Sequence, residues 1–141
     1  MNIPTEHHEH EKVIQWCDLY KDDVLFLFFV KSPCNPVPYK RTTQKQKFRD
    51  ADYHRYIEWK NYIVSEFAKN TGKLPHMALE KNKKYYVDVL AAYCNKAHGD
   101  TDNVAKGVND ALFQKPLSDK YVAGSYDYFY SDCPGVFIKI R

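Results

Sequence analysis

The chain has 141 residues, a mass of 16.6 kDa and a formal net charge of +3. That length fits one domain, which at this size buries about two thirds of its unfolded surface and needs no disulfide or metal scaffold. Hydrophobic residues at 44% and charged residues at 28% exclude disordered and collagen-like chains. The longest apolar run, residues 24–30, falls well short of the roughly 18 residues of a membrane span, so no membrane partner is expected. The opening residues, Thr5, Glu6, His7 and His8 among them, lack a basic-then-apolar leader, which predicts a cytoplasmic protein. Cys17, Cys34, Cys94 and Cys133 form no CxxC pair, so free thiols are expected rather than a zinc ribbon.

In chain order, residues 1–23 carry a net charge of −4, and residues 7–20 place Val13, Ile14, Trp16, Cys17 and Tyr20 at helical spacing. Residues 24–30 form a continuous apolar run, predicted to be a buried strand. Pro33, Pro36 and Pro38 then punctuate an extended loop. Residues 31–49 hold six bases and no acid, the electrostatic footprint of a polyanion partner or else a plain solvated loop. A long helix is predicted over residues 52–69, stopped at Thr71 and Gly72. A strand follows over 83–93, and a helix over about 102–113 with Val104, Val108, Ala111 and Leu112 on one face. The tail from Tyr121 to Ile140 reads as two strands turned near Pro134 and Gly135. The order predicts an α+β domain, a small mixed β-sheet packed with helices.

Chemistry concentrates in residues 98–113. Asp100 and Asp102 stand two apart in what reads as an extended lead-in, where alternate side chains share a side. Two such carboxylates repel unless a cation lies between them, and Mg²⁺ prefers carboxylate oxygen. Asp102, Lys106 and Asp110 fall at i, i+4 and i+8, on a face apart from the apolar stripe. The plainer reading makes one Asp a helix N-cap worth about 1 kcal/mol, and Asp102 with Lys106 a surface pair worth about 0.3–0.5 kcal/mol.

The pattern Asp100-Thr-Asp-Asn-Val-Ala-Lys106, then Asp110-Ala-Leu112, then Asp119-Lys-Tyr-Val122, resembles the RusA-type Holliday junction resolvases. The resemblance covers about residues 24–141, with its specific part in 98–122. It implies a Mg²⁺ site, able to take Mn²⁺, on Asp100, Asp102 and Asp119, and an essential Lys106. It also implies a RusA-like homodimer that nicks four-way DNA junctions symmetrically, leaving 5′-phosphate and 3′-hydroxyl ends. Where many members carry an acidic doublet at the third position, this chain has Ser118-Asp119, and Asp127 and Asp132 are the fallback carboxylates. Residues 1–23 lie outside the family's common length and are expected as an appended acidic helix on a 24–141 nuclease domain.

In that mechanism Lys106 supplies fixed positive charge to the scissile phosphate or orients the water. Asp110 pairs with Lys106 or supports the helix. DNA contact is expected from Lys40, Arg41, Lys45, Lys47 and Arg49, with Lys81, Lys83 and Lys84 as auxiliaries. Tyr39 or Phe48 would wedge at the junction or simply pack in the core. The tract His7, His8 and His10 is weighed as a Zn²⁺ or Ni²⁺ site against a frayed polar terminus. His98 would touch the site or have no role. The competing functions are an inactive junction-binding module, a metal-dependent nuclease of other branched nucleic acids, and a protein-interaction domain.

Overall fold

The computed structural model describes residues 10–41 and 50–141. Its helices are α1 (His10–Asp18), α2 (Ala51–Thr71), α3 (Pro75–Ala78) and α4 (Thr101–Leu112). Its strands are β1 (Phe26–Lys31), β2 (Tyr85–Tyr93), β3 (Val122–Ala123), β4 (Tyr126–Tyr130) and β5 (Gly135–Ile140). The α+β class and the mixed sheet are as expected, while α3 and the two-residue β3 were not anticipated. Four residues of α3 are too few to leave a helical period in the sequence.

The sheet runs β1-β5-β2, with β3 and then β4 laid along the far side of β2. β5 is antiparallel to both β1 and β2, and β2 is parallel to β3 and β4. Parallel neighbours need a crossover, and α4 provides it between β2 and β4. Residues 24–30 were predicted to be buried on both sides. Among the described residues β1 pairs only with β5, and its face is split: Phe28 and Val30 are buried, whereas Leu27 and Phe29 are only partly covered.

Each face of the sheet has its own core. On one face, Val87, Val89, Ala91, Ile138 and Ile140 pack under α2 and α4. α2 begins at Asp50, whose side chain accepts the Tyr53 N–H, and ends at Gly72 in the left-handed region at φ 79°. On the other face, Leu90, Ala92, Phe129 and Phe137 pack against Val13 and Trp16 of α1. Lys139, 1% exposed, points to this side from β5 and donates to the Trp16 and Leu19 carbonyls at the end of α1. Its ammonium also lies 4.3 Å from the centre of the Trp16 ring. The helix expected as an appendage is thus packed as the second face's cover, and a lysine satisfies carbonyls that a helix end leaves open.

The register of the parallel strands sets the site. Val122 lies opposite Tyr85, Tyr126 opposite Val89, and Tyr130 opposite Tyr93. Gly124, at φ 151°, lets the chain pass β2 where a Cβ would stand 1.9 Å from the Val87 carbonyl oxygen. Tyr126, Tyr128 and Tyr130 therefore face α4 with the odd-numbered residues of β2, and Asp127 and Phe129 face α1.

Candidate functional site

In a parallel β-α-β unit the carboxyl end of the first strand meets the helix N-terminus, and ligands gather there. Here β2 ends at Tyr93 and α4 opens at Thr101. The connecting loop is fastened from outside by Asn35. Its amide donates to Asn95 Oδ1 (2.8 Å) and the Ala97 carbonyl (3.0 Å), and its oxygen accepts the Cys94 N–H (2.7 Å). Farther along the same strap, the Tyr39 N–H donates to the Asn103 carbonyl at 2.9 Å. α2 and the strap both come close to α4 at Gly107, where a Cβ would lie 3.2 Å from the Tyr56 ring and 3.5 Å from the Tyr39 nitrogen.

Asp100 and Asp102 line one cleft of about 420 Å³ with His98, Thr101, Tyr126, Asp127 and Tyr128. The two carboxylates meet by a different geometry from the extended lead-in. Asp100 holds the N-cap position and Asp102 is already in the first helical turn, so both crown the N-terminus of α4. Asp100 has the N-cap backbone but makes no side-chain cap hydrogen bond, so capping does not account for its carboxylate. Asp102 accepts the N–H of its neighbour Asn103 at 2.9 Å. Both are exposed, at the end where the helix dipole favours negative charge.

His98 is held rigidly at the cleft wall. Its ring stacks on Tyr93 at 3.6 Å and 4°, Nδ1 lies 2.7 Å from the Gly99 carbonyl, and Nε2 lies 3.0 Å from the Tyr130 hydroxyl.

The third expected ligand, Asp119, is not brought to this pair. It starts the 3-10 turn before β3, beside the beginning of β2, whereas the pair lies past the end of β2. From Val122 to Asp127 alone the strand advances about 16 Å at the usual rise per residue. Of the fallbacks, Asp132 sits in the turn before β5 and does not line the cleft, while Asp127 does. The Asp127 carboxylate, however, faces the α1 side, accepting the Tyr128 N–H at 2.8 Å and standing 3.4 Å from the Lys12 ammonium. Among the described residues no three His, Cys, Asp or Glu side chains converge as a metal centre. The donor set nonetheless fits Mg²⁺, which commonly takes one or two carboxylates and completes its shell with water and substrate phosphate.

Lys106 is exposed one turn beyond Asp102, with its ammonium 4.3 Å from the centre of the Tyr39 ring. Tyr39 also packs edge-on against Tyr56 at 5.5 Å. Asp110 does not pair with Lys106. Its Oδ2 accepts the Tyr56 hydroxyl at 2.6 Å and the Lys60 ammonium at 2.9 Å, tying α4 to α2. Burial pushes the Asp110 carboxyl up, but those two hydrogen bonds and the charges of Lys60 and Lys106 outweigh it and hold the group below its ordinary value.

Of the expected DNA contacts, Lys40 and Arg41 are exposed beside this cluster. Lys45, Lys47, Arg49 and Phe48 lie outside the described residues, as do His7 and His8. Lys81, Lys83 and Lys84 are exposed where the chain enters β2, the end away from the carboxylate pair. Tyr126 and Tyr128 in the cleft, and Lys60, Tyr53 and Tyr56 beside Asp110, were not singled out from the sequence. The alternation Tyr126-Asp-Tyr-Phe-Tyr130 was the signal for the first group. The second is spread over two helices far apart in the chain.

Comparison with protein-family models, with curated proteins and with solved structures finds no match to this chain.

Proposed function

We propose that the chain is a Mg²⁺-dependent endonuclease of branched DNA that nicks four-way junctions as RusA-type resolvases do. The observation that carries this reading is the pairing of Asp100 and Asp102 at one helix N-terminus, in one cleft, with Lys106 a turn further on. Asp100 and Asp102 would hold Mg²⁺ or Mn²⁺, and the ion supplies charge neutralisation and a more acidic water. Lys106 places a positive charge toward a phosphate bound over the helix. Lys40 and Arg41 attract the backbone without reading sequence. Hydrolysis adds water across the phosphorus–O3′ bond, leaving a 5′-phosphate and a 3′-hydroxyl. A two-fold homodimer would present two such clefts to the two matching strands of a junction.

A second reading, a junction-binding module without cleavage, is favoured by the position of Asp119 at the other end of β2. One experiment separates the two. The protein is incubated with a labelled four-way junction, a flap, a fork and a matched duplex, in Mg²⁺ and in EDTA, beside the Asp102→Asn variant, with binding read by gel shift and nicking by denaturing gel. Paired nicks on the junction alone, lost in EDTA and in the variant, support the resolvase. Binding with no nicking supports the module. Cutting of flaps or forks in preference to junctions keeps the metal chemistry and discards the junction. Normal cleavage by Asp102→Asn overturns the site.

A further inference from the structure

A second concavity lies two helical turns along α4 from the carboxylate pair. It is enclosed by the strap at Tyr39, Lys40 and Arg41, by Tyr53 and Lys60 of α2, and by Asp110, with a volume of about 170 Å³. From Asp102 to Asp110 the helix advances about 12 Å.

Its chemistry is that of an anion seat. Three cations, Lys40, Arg41 and Lys60, line it against one carboxylate, Asp110. They come from two segments, Lys40 and Arg41 from the strap and Lys60 from α2, and do not share the solvated face of one helix. Lys40 also stands 3.9 Å from Asp50, a long and half-exposed pairing that a ligand phosphate can displace. Lys60 is fixed in place. Its ammonium is 2.9 Å from Asp110 and 4.9 Å from the centre of the Tyr56 ring, and its side chain is only 16% exposed. Asp110 spends one oxygen, Oδ2, on both Tyr56 and Lys60. A lysine held so firmly beside a small polar cavity is pre-organised for an anion, and an arginine beside it adds a planar donor fork suited to phosphate.

We propose that this concavity seats a second backbone phosphate of the nucleic-acid strand whose scissile phosphate lies at Asp100 and Asp102. Arg41, Lys40 and Lys60 bind that phosphate, and Asp110 is the positioning residue that holds the Lys60 ammonium at the cavity wall. The inference rests on the nuclease reading for the identity of the strand. The common line of both sites along α4 sets the register: a phosphate a nucleotide or two from the cut.

The test measures binding of a four-way junction in Ca²⁺ across a salt series, for the wild type, Arg41→Gln, Lys60→Gln and Lys60→Arg, each first shown by thermal melting to be folded. Each lost phosphate contact should lower the slope of log K against log salt by about one. Arg41→Gln and Lys60→Gln should each do so, and Lys60→Arg should restore the slope. In a second arm, single neutral methylphosphonates are scanned along the strand. One position should weaken the wild type and leave Lys60→Gln unaffected. A third arm titrates inorganic phosphate and a mononucleotide. Saturable binding of either with no change in the junction slope would mean a small phosphate ligand and would overturn the proposal.

Unchanged slopes with junction cleavage intact overturn the second seat and leave the nuclease standing. Lowered slopes with no cleavage in Mg²⁺ sustain the seat and overturn the nuclease. No junction binding by the wild type overturns both.

Discussion

Replacing Asp110 by Ala tests the tie between α2 and α4 by stability alone, whatever the activity. The hydroxyl of Tyr56 donates to Asp110, and Tyr56 is 1% exposed, so the truncation leaves a buried donor without its partner. That costs about 1–3 kcal/mol. The Lys60 pair is lost as well, but the carboxylate end is 40% exposed and solvent screens it, so about 0.5–1 kcal/mol is the share to add. The sum is about 1.5–4 kcal/mol, a large part of the stability of a small domain. In a urea titration followed by tryptophan fluorescence, a slope of about 1–3 kcal/mol/M turns this into a midpoint lower by roughly 1 M. Asp110→Asn keeps an acceptor for the hydroxyl and should lose about half as much. Tyr56→Phe should cost markedly less in the Asp110→Ala background than in the wild type, because the two share one interaction. An Asp110→Ala loss below about 0.5 kcal/mol, or costs that simply add, would refute the reasoning.

The remaining predictions follow from other buried groups. Desolvation holds the Lys139 ammonium below the ordinary lysine value against the opposing charge of Asp88. The unfolded chain therefore binds the extra proton, and wild-type stability should gain with pH just below about 10.4 relative to Lys139→Met; parallel pH profiles in urea titrations of the two proteins would refute this. Gly124→Ala would force a Cβ to 1.9 Å from the Val87 carbonyl oxygen at φ 151°, so a loss of at least about 2 kcal/mol is expected, and an unchanged melting temperature would count against the register. Cys34 and Cys94 are exposed, whereas burial pushes the Cys17 thiol up, so iodoacetamide should label the first two fastest. Early labelling of Cys17 by peptide mapping would mean that α1 is not packed on the sheet.

The major elements were legible because their periods are strong. α2 and α4 follow a 3.6-residue stripe, and β2 and β5 are apolar runs buried under both layers. The charged side of α4 was legible for the same reason: Asp102, Lys106 and Asp110 share a face whatever the helix packs on. What failed was everything decided by pairing. Asp119 came from the family resemblance, and the order of a motif along the chain does not say where a parallel strand resumes beside its neighbour. The extended geometry assigned to Asp100 and Asp102 failed because the helix starts at Thr101, three residues before its apolar stripe opens at Val104. Nothing local in the sequence marks Lys139 as the partner of helix carbonyls more than a hundred residues away.

That pairing also decides how many carboxylates the cleft can use, and this can be tested directly. Along β4 only alternate side chains face α4, and the register gives that side to Tyr126, Tyr128 and Tyr130. A slip of one residue would turn Asp127 toward Asp100 and Asp102. It would also expel Phe129, 4% exposed, from the core under α1 and move Gly124 off the Val87 carbonyl it clears. Both costs fix the tyrosines toward the pair. Tyr128 lines the cleft and is 45% exposed, so Tyr128→Asp should fold and add a third carboxylate on the correct side. On the proposed metal role of this pair, Mn²⁺ binding by calorimetry should then tighten by about tenfold, the effect of roughly 1.4 kcal/mol, while Asp127→Asn should leave it unchanged. If Tyr128→Asp binds Mn²⁺ no better and Asp127→Asn binds it worse, the strand presents its other side to the cleft and the register is wrong.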